Sequence, residues 1–210
     1  MPVESGCSVS GNYNYFERQI MKLQHLFVAA ITAAFLSGCA TPIVPLNFSV
    51  PNVGLAQRKI DAEMKSLTVT VARPDEKTGV INMNPTVPSL WTTSMTEALN
   101  KMTIFQDDAP KKVNVSVKIL SFDPPSAGFS MTTTTSARYE IIDRKTGDII
   151  FTQDISSSGT TPADYAFSGA TRQIESANRA VQNNITQFLQ SLKTVDVQKP
   201  MFPAKTGVNK

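Results

Sequence analysis

Between Lys112 and Ile155 the apolar residues fall on every second position through three successive segments. Val113, Val115, Val117 and Ile119 line one face of the first, with Lys112, Asn114, Ser116 and Lys118 on the other. Asp123-Pro124-Pro125-Ser126-Ala127-Gly128 turns the chain. The next segment, Phe129 to Ile142, sets Phe129, Met131, Ala137, Tyr139 and Ile141 opposite its hydroxyl and charged residues. Arg144-Lys145-Thr146-Gly147 predicts a hairpin in which Gly147 supplies a positive φ, and Ile149, Phe151 and Ile155 mark the last strand. Such alternation demands a sheet with one covered face and one polar face, which antiparallel sheets provide.

The cover comes from two helical patterns. Leu67-Thr68-Val69-Thr70-Val71 is a β-branched strand that Arg73-Pro74-Asp75-Glu76-Lys77-Thr78-Gly79 terminates. A helix then starts near Pro88, a residue suited to a first turn, and carries Leu90, Trp91, Met95, Ala98, Leu99 and Met102 on one stripe. A second helix, Thr171 to Leu192, places Ile174, Ala177, Val181, Ile185, Phe188 and Leu192 on one side, with Asn178, Gln182, Asn183 and Gln187 opposite. The expected fold is α+β: a four-stranded, mainly antiparallel sheet in the order β-α-β-β-β-α, with both helices on one face. This domain spans 67–193. Residues 39–66, with Pro42, Pro45 and Pro51, read as an extended tether. Within it, Leu46-Asn47-Phe48-Ser49-Val50 alternates and could instead pair as an edge strand. Residues 194–210, with Pro200 and Pro203, read as a disordered tail.

The front of the chain follows different rules. From Met21 it shows the parts of an export signal: Lys22, an apolar stretch from Leu26 to Leu36, then small residues before Cys39. That apolar stretch is too short for a bilayer core, which takes roughly 20 helical residues. The run Leu36-Ser37-Gly38-Cys39 resembles the cleavage box of bacterial lipoproteins. The resemblance implies that 21–38 is a signal peptide and that the bond between Gly38 and Cys39 is cut. Cys39 would then carry a diacylglycerol thioether and an N-acyl chain. Two or three chains anchor stably where one does not. Ala40, rather than Asp, after the cysteine favours the outer membrane over the inner one, with the domain facing the periplasm. Residues 1–20 make a poor amino-terminal region for such a signal, and translation from Met21 would leave them as a gene-model extension. Either way, Cys7 leaves with them.

Processing also decides what chemistry is left. Of 20 basic residues only Arg18 and Lys22 precede Cys39, and of 17 acidic ones only Glu4 and Glu17, so the mature side chains still sum to +3. That charge is too mild for nucleic acid, and no basic cluster or aromatic platform accompanies it. The sole histidine, His25, is lost with the signal, and the remaining cysteine is Cys39 itself. Imidazole, thiolate, disulfide and His/Cys zinc chemistry go with them, and no phosphate loop, nucleophile elbow or EF-hand spacing appears. No cofactor or metal is expected beyond the acyl chains, and no enzyme activity. A carboxylate-dependent hydrolase is the catalytic exception, yet Asp143, Asp148 and Asp154 lack convergent spacing.

The layout behind the cysteine resembles small envelope lipoproteins: the YajG-like proteins, the auxiliary lipoproteins of ABC-type envelope transport, and domains related to the TolB amino-terminal fold. Its local carriers are Ala137-Arg138-Tyr139-Glu140, Ser158-Gly159, Ala166-Phe167 and Glu175-Ser176-Ala177-Asn178. The resemblance implies a non-catalytic partner in an envelope machine, but a shared fold alone does not carry function.

Candidate contact residues are few. Tyr165 and Phe167 sit in a loop bounded by Pro162 and Gly169, where aromatics suit a partner contact or, more simply, seal a helix onto the sheet. Thr132 to Ser136 reads as ordinary strand with threonine on both faces rather than a ligand ladder. Trp91 reads as core by its helical spacing. Two functions follow: a tethered adaptor or accessory subunit docking on an envelope protein through the polar face or an edge, or a lipid- or glycolipid-handling component with a cavity between sheet and helices. Sequence leaves the partner and the oligomeric state open.

Overall fold

A computed structural model describes residues 44–199 and 201–202. Six elements follow in order: β1 (Glu63–Val71), α1 (Val87–Met102), β2 (Lys112–Asp123), β3 (Met131–Asp143), β4 (Ile149–Thr161) and α2 (Gly169–Ser191), ending in a 3₁₀ turn, Leu192–Thr194. The sheet is open and runs β1-β2-β3-β4. β1 pairs parallel to β2, while β2–β3 and β3–β4 are antiparallel. A parallel pair needs a crossover, and α1 supplies it. The α+β architecture read from the alternation therefore holds, as a mixed sheet.

Both helices cover the face made by Val113, Val115, Val117 and Ile119 of β2 and by Ala137, Tyr139 and Ile141 of β3, all fully buried. Trp91, Met95, Ala98, Leu99 and Met102 bring α1 to that core, and Ala177, Val181, Ile185 and Phe188 bring α2. Pro88 occupies the first turn of α1, and Thr103 ends it in the left-handed region, its N–H donating to Leu99 O. Ser168 caps α2 by accepting from Thr171 N.

The structure corrects four expected boundaries. β1 begins at Glu63, four residues before Leu67, because Glu63 and Met64 pair with Lys112 and Val113. β3 begins at Met131; Phe129 lies outside the strand, its backbone still in the loop that Gly128 closes at φ 151°. The segment expected as a free tether is packed from Leu46 onward. It is no edge strand either: its alternation buries Phe48 and Val50 against the helices rather than a sheet edge. Asn47 N donates to Asn178 Oδ1 on α2 (2.9 Å), Ser49 Oγ to Glu97 Oε2 on α1 (2.8 Å), and Phe48 meets Trp91 edge to face. Ala56 N then reaches Met102 O and Ile60 N reaches Ile104 O, so residues 45–60 form a strap between the helices. The tail is also anchored past Thr194: Val197 is buried, and its carbonyl accepts from Lys111 Nζ (2.6 Å).

The strands fix the molecule's two ends. At one lie the loops 72–86, 124–130 and 162–168, with the amino termini of both helices. At the other lie the 144–148 hairpin, the α1–β2 connection and the carboxy terminus of α2.

Candidate functional site

The open face of the sheet is charged, but its charges answer one another. Arg138 grips Asp154 through two bonds of 2.7 and 2.8 Å, holding the Asp154 carboxyl below its ordinary range. Glu76 reaches back from the 73–80 loop to Lys118 (2.7 Å) and to Arg73, and those bonds lower its pKa too. Glu63 sits between Lys112 and Lys65, with the same effect. Burial opposes ionisation of Asp143, yet the N–H groups of Lys145 and Thr146, with Lys111, outweigh it and keep that acid low. A carboxylate acid–base pair sets one raised carboxyl beside an ionised one, and none of these four acids is raised. Among the described residues no three His, Cys, Asp or Glu side chains could hold a metal ion.

Threonines of the 132–135 run alternate between faces. Thr132 bonds Thr160 on the open side (2.9 Å), while Thr133 is buried and bonds Ser176 of α2 (2.7 Å). Asn184 is the other buried polar contact between α2 and the sheet. Its Oδ1 accepts from the Tyr139 hydroxyl (2.8 Å), and its Nδ2 donates to Ile155 O (2.8 Å) and Ser157 Oγ (3.0 Å). Burial drives the Tyr139 pKa far above the usual phenol value, opposed only weakly by the Trp91 indole. That indole nitrogen itself lacks a hydrogen bond of normal geometry. These groups join helix to sheet.

Exposed apolar residues concentrate elsewhere. Tyr165 is half exposed and lies under the Arg179 guanidinium, 5.3 Å from the ring centre. Phe167 is 99% exposed and seals nothing. Phe129, expected to face the core, is 87% exposed. Sequence alternation hid it, because the residue directly after a Pro-Pro-Ser-Ala-Gly turn need not share the strand's register. Arg172, in the first turn of α2, joins the two loops: Nη1 donates to Ala166 O (2.6 Å) and Phe167 O (3.0 Å), and Nη2 to Gly128 O (3.3 Å). Gln173 adds a bond to Pro125 O (2.6 Å). Nearby, Leu46, Met83, Val87, Phe122, Pro124 and Ile174 line an open groove of about 320 Å³. Gly38 and Cys39 lie outside the described residues, and no described helix is long and apolar enough to cross a membrane.

No protein-family model matches the chain, and no curated protein is similar to it. Its likeness is to solved structures. A DUF330 protein of Xanthomonas campestris superposes with a TM-score of 0.50 at 11% identity, over 70% of this chain and 92% of that one. That similarity supports the fold and nothing further. Weaker likenesses are to the PelC dodecamer of Paraburkholderia phytofirmans (TM-score 0.40, 12% identity, 69% and 92% covered) and a minor lipoprotein of Acinetobacter baumannii (TM-score 0.38, 13% identity, 66% and 97% covered).

Proposed function

We propose that this protein is a bacterial envelope lipoprotein, held to the periplasmic side of the outer membrane by acyl chains on Cys39 and acting as a non-catalytic adaptor or accessory subunit of an envelope complex. The observation that carries this is the Leu36-Ser37-Gly38-Cys39 run closing an apolar segment too short to span a bilayer. The paired carboxylates and the polar, uncovered sheet face are what an adaptor needs: a rigid surface for docking rather than a reaction cleft. The reading also draws support from the likeness of layout to YajG-like and transport-auxiliary lipoproteins. The contact would be the polar face or the free edge of β1. Cross-linking in intact envelopes followed by capture of the tagged protein should return one reproducible envelope partner. Capture with no partner above the level of an untagged control contradicts the adaptor role.

A second reading, a lipid- or glycolipid-handling component, is favoured by the groove beneath Leu46 and Met83. Native mass spectrometry of the purified protein should then show a retained lipid besides the covalent chains; its absence removes this reading.

A further inference from the structure

We propose that the end of the fold bearing Phe129 and Phe167 rests on the same leaflet that holds the Cys39 acyl chains, with both rings entering the headgroup–acyl boundary as a second, non-covalent membrane contact. The inference rests on Cys39 being acylated. Where the packed chain begins carries the argument. Pro45 O accepts from Asn178 Nδ2, and Leu46 shares a groove with Pro124 and Ile174, so the strap starts at the end where the 124–130 and 162–168 loops lie. Cys39 precedes Val44 by five positions. Fully stretched, those residues reach at most about 18 Å. The sheet is longer: the 13 residues of β3 span about 43 Å at 3.3 Å each. A leash shorter than the body it holds keeps the near end of the body close to the bilayer.

That near end has the composition of an interfacial contact. Phe129 and Phe167 are 87% and 99% exposed, apolar surface that water disfavours and an acyl boundary accepts. No charged residue occurs from Pro124 to Ala137 or from Tyr165 to Thr171. The nearest cation, Arg172, has its guanidinium committed to the two loop backbones, so it fixes the rings relative to each other. At the opposite end the hairpin exposes Arg144 and Lys145, and Lys193 and Lys199 lie nearby in the chain's last turns. The 72–86 loop at the near end carries Arg73, Asp75, Glu76 and Lys77, and Asp164 precedes Tyr165, so only the 124–130 loop and the Phe167 tip enter the acyl boundary while those charges stay at headgroup level.

The test uses the full chain, matured in a bacterial host and reconstituted in phosphatidylethanolamine/phosphatidylglycerol vesicles whose lipids carry bromine near the headgroup. Trp91, the only tryptophan, is fully buried and supplies a constant background. Phe167→Trp and Phe129→Trp should emit at shorter wavelength on reconstitution and be quenched by the brominated lipid, whereas Lys145→Trp should not. Equal emission from Phe167→Trp and Lys145→Trp overturns the inference. So does a blue shift of Phe167→Trp without quenching, which would mean a protein partner or a second copy covers the ring. A mass spectrum of the amino-terminal peptide from the same sample separates the two layers. Acylated Cys39 without quenching defeats only the loop contact; unmodified Cys39 defeats the anchor, and quenching in added vesicles would then sustain the loop contact alone.

Discussion

Asn184 and Gly159 show how single residues hold α2 to the sheet. Asn184→Ala would strand the Tyr139 hydroxyl and Ile155 O inside the core. Each buried group left unpaired costs about 1–3 kcal/mol, so thermal denaturation should show a lower melting temperature with the fold retained. Tyr139 also sets a pH dependence. Its folded pKa is raised, so its contribution is complete below the unfolded value of about 10 and is lost as pH rises above it. Denaturant titrations should show stability falling above about pH 10, and Tyr139→Phe should flatten that fall while costing some stability at neutral pH. Gly159 acts through space rather than backbone freedom. A Cβ there would lie 2.2 Å from Ala180 N and 2.4 Å from Ser176 O, backbone atoms of α2 that cannot step aside. Gly159→Ala should therefore destabilise by at least about 3 kcal/mol or prevent folding, read by circular dichroism. Neither role was legible in sequence. Asn184 looks like one more polar residue on a helix, and Gly159 interrupts a Ser/Thr strand without announcing what approaches it.

Elements fared differently according to whether their pattern was local. Strands β2 to β4 and both helices announce themselves by period, because each buries a face against a large, regular partner. The strap did not. Pro42, Pro45 and Pro51 suggest an unsupported chain, and its alternation at Leu46, Phe48 and Val50 looks like a strand. The groove between the two helices that accepts it exists only once the helices are assembled. Its energetic weight is testable: Phe48→Ala removes a fully buried ring and should cost about 3–5 kcal/mol. Leu55→Ala, at a side chain 75% exposed, should stay within about 0.5 kcal/mol. Urea unfolding of the pair decides whether the strap belongs to the cooperative unit. The same logic explains Phe129. A two-residue error in a strand's start turned an exposed ring into an expected core residue.

At the scale of the whole molecule the two ends differ: the 124–130 loop and the Phe167 tip are uncharged and expose phenyl rings beside a charged 72–86 loop, while the other end exposes Arg144, Lys145, Lys193 and Lys199 together with Met201 and Phe202. Gly38 and Cys39, proposed as a processing site, lie outside the described residues, and that proposal rests on the sequence alone. Tyr165 and Phe167 were found as a pair, yet the structure separates them: Tyr165 lies beneath Arg179, and Phe167 projects alone. Cys39→Ala should block maturation, leaving a precursor that still carries residues 21–38 on electrophoresis. The most direct measurement is the intact mass of the amino-terminal peptide from protein purified out of the envelope. The account predicts a chain beginning at Cys39 and carrying a diacylglycerol thioether with an amide-linked acyl group. A chain beginning elsewhere, or a free thiol at Cys39, would contradict it.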